Sequence, residues 1–105
     1  MNKKVLLVNS SSIPVVEIDT AASSAYVRFK KDAVAKTIAI DSPRPGPLIT
    51  VDLNAKKEVI GVELVGVKEF NIRRLLMLVP RLSAPRVKFA ETHYVRAGTP
   101  VLCEA

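Results

Sequence analysis

Apolar and polar residues alternate with a period of two along most of this chain, and a period near 3.6 occurs once. Residues 24–30 set Ala25, Val27 and Phe29 on one side and Ser24, Tyr26, Arg28 and Lys30 on the other, the pattern of a half-buried strand. Residues 34–40 repeat it, with Val34, Ile38 and Ile40 opposite Ala35, Thr37 and Ala39. Residues 48–53 and 58–65 turn Ile49, Val51 and Leu53, then Ile60, Val62 and Leu64, to one face; Thr50 and Asp52, then Gly61 and Glu63, take the other. Shorter extended segments are expected at 4–8 and 15–18, the second held extended by Pro14. Lys31-Asp32 is a connection of hairpin length. It predicts a hairpin between the strands on either side of it.

The helical period falls on Ile72, Leu75, Leu76 and Val79, spaced i, i+3, i+4 and i+7, with Arg73 and Arg74 outward and Pro80 as the stop. This predicts one helix of about three turns over 69–79, laid on the aliphatic face of the sheet. A last strand is expected over 86–96. Pro43, Pro45 and Pro47 make 41–47 a semi-rigid loop. The predicted fold is α+β: one domain over 1–105, a curved antiparallel sheet of five or six strands in a meander of hairpins, one helix on one face and a C-terminal strand.

Composition supports a packed domain. Of 105 residues 49% are apolar and 25% charged, too hydrophobic for disorder and enough for one core. No Trp is present, and the aliphatic bulk favours strands. The longest apolar runs, at 5–8 and 75–79, fall far short of the roughly 20 residues of a membrane helix, and no secretory signal is visible. Cys103, the lone cysteine, suits a reducing cytoplasm and permits no internal disulfide. Charge is uneven: between Lys68 and Arg96 seven basic residues face only Glu69 and Glu91, so +5 of the net +6 lies there.

That asymmetry makes Arg73, Arg74, Arg81, Arg86, Lys88 and Arg96 a candidate surface for nucleic acid or an acidic partner. The second candidate is the polar sheet face of Tyr26, Arg28, Thr37, Asp52 and Glu63, where carboxylates are expected to meet cations across the ladder and Tyr26 to cover Gly61. Asp52 and Glu63 also form the acid pair an enzyme or a metal site would need, although nothing in the pattern encloses them. His93 and Cys103 are too few for a zinc site and lack an orienting third group. A phosphate loop after the first strand fails because no glycine precedes Gly46. No catalytic residue, metal or cofactor is expected.

Residues 19–65 carry a further pattern. Asp19, Ala22, Ser24, Tyr26 and Val27, then Val34-Ala-Lys36-Thr37, then Val51, Asp52, Val59, Gly61, Val62 and Glu63 resemble the D-x-x-A-D-A-x-Y-[IV], V-K-T and V-D-x-D-x-x-G-x-[VI]-x-G-[IV]-E segments of the prokaryotic family called domain of unknown function 2283. Ser23 stands where that family has an acid, and Lys57 where it has the hairpin glycine, so Lys57 must adopt a positive φ or the turn must change type. The resemblance implies a small β-rich fold, sometimes suspected as a toxin–antitoxin partner. It brings no established activity, and a charge of +6 is the wrong sign for neutralising a basic ribonuclease toxin. The function expected is a non-enzymatic protein-interaction or oligomerisation module. A first or last strand left open invites pairing with a second copy, hence a homodimer.

Overall fold

The computed structural model describes residues 5–41 and 45–96; the centre of the proline-rich loop, Cys103 and most of the last ten residues lie outside them. Chain order is β1 (Leu6–Leu7), β2 (Val15–Asp19), β3 (Ser24–Arg28), β4 (Lys36–Ile40), β5 (Leu48–Leu53), β6 (Val59–Val65), α1 (Ile72–Leu78), β7 (Leu82–Ser83), a 3-10 turn (Phe89–Glu91) and β8 (His93–Arg96). The α+β class with one helix and a C-terminal strand is as the pattern predicts.

The meander is not. The main sheet runs β4-β5-β6-β3-β2-β8, and a separate two-stranded sheet joins β1 to β7. The hairpin expected at Lys31-Asp32 does not form, because both sides of β3 are occupied, by β2 and by β6. Phe29 N–H and Lys30 N–H both donate to Ile60 O, at 2.9 and 3.3 Å. The chain then leaves the ladder, and β4 arrives at the far edge beside β5. Nor is pairing antiparallel throughout: β8 lies parallel to β2, and β1 parallel to β7. The segment expected as one strand over 86–96 is a 3-10 turn followed by four strand residues. β7 was not predicted, and the first strand is confined to two residues.

Alternation places the core as expected. Ala25, Val27, Phe29, Ile49, Val51, Val62 and Leu64 are buried together with Val16, Ile72, Leu75 and Val79. Two faces differ from expectation. A register shift beside Asp52/Leu53 sets Leu53 opposite Val59 and Asp52 opposite Gly61, leaving Ile60 as the extra residue of a bulge. Val59 therefore enters the core cluster, while Ile60 is buried outside it, next to Tyr26 and Arg28. Val34 precedes β4 and is exposed.

The helix is shorter than the predicted three turns. Asn71 caps it, its side chain accepting from Arg74 N–H at 3.1 Å, and the Tyr94 hydroxyl accepts from Ile72 N–H at 3.0 Å. Two of the otherwise orphaned amides of the first turn are thus satisfied. At the other end Val79 N–H reaches Leu75 O at 2.9 Å, and Pro80 follows. Ile72, Leu75 and Val79 are buried, Leu76 is not, and Arg73 and Arg74 point outward.

Candidate functional site

The face of the sheet away from the helix is where the predicted polar residues meet. In register, Thr37 on β4 faces Asp52 on β5, Asp52 faces Gly61 on β6, and Gly61 faces Arg28 on β3. One step along, Thr50, Glu63, Tyr26 and Glu17 form the next row. All five candidates therefore lie on four adjacent strands.

Their chemistry differs from the expected ladder of ion pairs. Tyr26 leans over Gly61: a Cβ built on Gly61 would stand 1.8 Å from the phenol oxygen and 2.4 Å from Cζ. That lean carries the Tyr26 hydroxyl to Asp52 Oδ2, to which it donates at 2.8 Å. The Thr37 hydroxyl donates to Asp52 Oδ1 at 2.7 Å. Each carboxylate oxygen of Asp52 thus accepts a bond from a neutral hydroxyl donor. Arg28 pairs in the opposite direction, its Nη2 lying 3.8 Å from Glu17 Oε1 across β2 and its guanidinium 5.8 Å from the Tyr26 ring centroid. With 39% and 38% of the two side chains exposed, this ion pair contributes at most about 1 kcal/mol. Glu63 is exposed.

Tyr26 is pushed well above its ordinary pKa of 10.0, first by burial, then by its bond to Asp52 and by the negative charge of that carboxylate. The phenol stays a donor through the whole neutral range. The result is a braced sheet surface with Leu48 and Val65 side by side at one end, 69% and 39% exposed.

The basic residues border more than one surface feature. Arg73 and Arg74 border a shallow depression with Asn71, Met77 and Leu78, whereas Arg96 borders another with Ile18, Thr20, Tyr94 and Val95. The Arg86 guanidinium donates to Asn9 Oδ1. Arg81 is half-buried, with its Nε unpartnered among the described residues. Lys88 is exposed beside the 3-10 turn. The aromatics nearby are engaged in packing: Phe89 meets Phe29 edge-on with centroids 6.2 Å apart, Phe70 packs on the core, and Tyr94 holds the helix. Of the three, only Tyr94 is exposed, at 46%, so successive bases would find a single ring to stack on there.

One cluster has no counterpart in the sequence reading. Asn54, buried at 5% exposure, donates to Asp32 Oδ2 at 3.0 Å and to Glu58 Oε1 at 2.9 Å, while its own oxygen accepts from Lys56 N–H and Glu58 N–H. Asn9 donates to Glu58 Oε2 at 2.7 Å, and Lys30 Nζ lies 3.8 Å from Glu58 Oε1. Asp32 is held below the ordinary carboxylate range by the Asn54 bond and by Ala33 N–H, and Glu58 by its bonds to Asn54 and Asn9. The Asn54-Ala-Lys-Lys57 turn is the one legible trace of this corner, since an Asn that accepts from an amide two residues on is a common turn device.

Among the described residues no group of three His, Cys, Asp or Glu side chains is placed to hold a metal ion, and no helix is long and apolar enough to cross a membrane. These features define an α+β domain built on an open sheet with a braced polar face. Comparison with family models, with curated proteins and with solved structures found no match.

Proposed function

We propose that this chain is a non-enzymatic protein-interaction module that joins through its sheet to a second copy or to another protein in a reducing compartment. One observation carries the reading. The side chains of the open face largely satisfy one another, through Tyr26, Thr37 and Asp52 and through Arg28 and Glu17, while the sheet ends on strand edges and exposes the apolar pair Leu48 and Val65. Apart from Glu63, what the described residues leave unmet there is main chain and apolar surface, the material of strand addition and oligomer contacts. The resemblance of residues 19–65 to the domain of unknown function 2283 family supports a small β-rich interaction domain. A partnership with a basic toxin is disfavoured by the net charge of +6.

The test is light scattering of the purified protein over a concentration series, beside affinity capture from its native cells read for protein and nucleic acid alike. Concentration-dependent mass, or a stoichiometric protein partner, is the expected result. A monomer at every concentration that retains mixed DNA or RNA at low salt and loses it steeply as salt rises overturns the reading in favour of Arg73, Arg74 and their basic neighbours.

A further inference from the structure

The edge strand β4 carries enough information to name both an occupant and a register. Successive main-chain groups of a strand point to alternate sides. On β5, Asn54 N–H bonds Glu58 O on the β6 side at 3.0 Å, and Leu53 O accepts from Ala35 N–H on the β4 side at 2.8 Å. Odd positions of β5 therefore address β4, and their partners in register are Lys36, Ile38 and Ile40. Thr37 and Ala39 turn their N–H and C=O groups to the open edge, where no described strand lies.

We propose that two copies pair antiparallel along β4 about a two-fold axis at Ile38, fusing two six-stranded sheets into one. This deepens, and rests on, the interaction-module reading. A two-fold axis normal to the sheet keeps the apolar faces on one side and sets Thr37 against the partner's Ala39, Ile38 against the partner's Ile38, and Lys36 against the partner's Ile40. Each copy offers two outward donors and two outward acceptors, and in this register every one finds its complement on the other copy. Centring on Thr37 would call on Ala35 N–H, which is already bonded to Leu53 O. Sliding one step further opposes Lys36 to Lys36, two like charges. The strand holds no proline, glycine or bulge and a single charge, so the usual protection of an edge is slight. β8, with four residues and Arg96 at its end, is the poorer edge. A five-residue pairing is small for an interface, so association is concentration-dependent, in about the micromolar range or weaker.

Two variants test it. Ala39→Pro removes an outward N–H without touching a bond to β5, so the monomer should keep its circular dichroism and melting behaviour while dimer dissociation weakens by about tenfold or more. In a Cys103→Ser background, Ile38→Cys should cross-link rapidly to a covalent dimer on mild oxidation, because the two thiols face each other across the axis, whereas Ile40→Cys, facing Lys36, should not. A dimer that survives Ala39→Pro, or equal cross-linking at both positions, overturns the β4 register while leaving an interaction module standing. A wild-type chain that stays monomeric to roughly 1 mM overturns the pairing; if capture also returns no protein partner, the reading beneath it falls too.

Discussion

At the scale of single residues the governing contact is Tyr26 over Gly61. A strand glycine normally weakens its sheet, and here the phenol fills the vacancy, held in place by Asp52. Gly61→Ala must push the ring aside and break that bond, at an expected cost of ~1–3 kcal/mol. In a Tyr26→Ala background the same substitution should be neutral or stabilising, since a side chain then replaces empty space. Denaturant melts of the four proteins check this, and additive costs would show that the two residues do not act as a unit. Tyr26 also makes stability depend on alkali. Its folded pKa is raised above the ordinary 10.0, so the stability it contributes is present below pH 10.0 and lost progressively as pH climbs toward the folded value. The melting temperature should therefore fall more steeply above pH 10 in the wild type than in Tyr26→Phe. Identical slopes would remove Tyr26 as the cause.

Elements differ in how openly the sequence announces them. The period-two faces of β3 and β5 and the Ile72, Leu75 and Val79 stripe were legible because burial alone dictates them. The Tyr26–Gly61 cover was legible too, as was the choice facing Lys57, which takes the positive-φ option at 66°. Strand order was not. Lys31-Asp32 has the length of a hairpin turn, but turn length does not reveal that β6 will claim the free side of β3. Two-residue strands such as β7 have no period to read. The helix lost its expected first turn to Asn71, whose capping bond fixes the start; Asn71→Ala should lower stability by ~1 kcal/mol. Lys57→Gly should raise it by about 0.5–1 kcal/mol, because glycine enters the left-handed region without the Cβ penalty. Unchanged urea midpoints for either variant would contradict these assignments.

For the whole molecule, the corner around Asn54 matters more than its size suggests, since it joins β5, β6, the β3–β4 crossing and the N-terminal segment. Asn54→Ala should destabilise by ~1–3 kcal/mol, leaving the part-buried main-chain donors of Lys56 and Glu58 without their side-chain acceptor. It should also flatten the acid limb of the stability curve. Asp32 and Glu58 have lowered folded pKa values, so their contribution is complete above the ordinary carboxylate range and disappears as pH falls through the folded values. A variant with an unaltered acid limb would place the pH dependence elsewhere. The parallel pairing of β8 with β2, Val16 beside Tyr94, bears on something different: timing. β2 leaves the ribosome well before its outer neighbour β8, and the helix latch from Tyr94 arrives with β8. Until β8 emerges the nascent sheet therefore carries a second raw edge at β2, and the closing step must wait on a long-range encounter, slow by topology. Until that encounter the β2 edge stays open to strands of other chains.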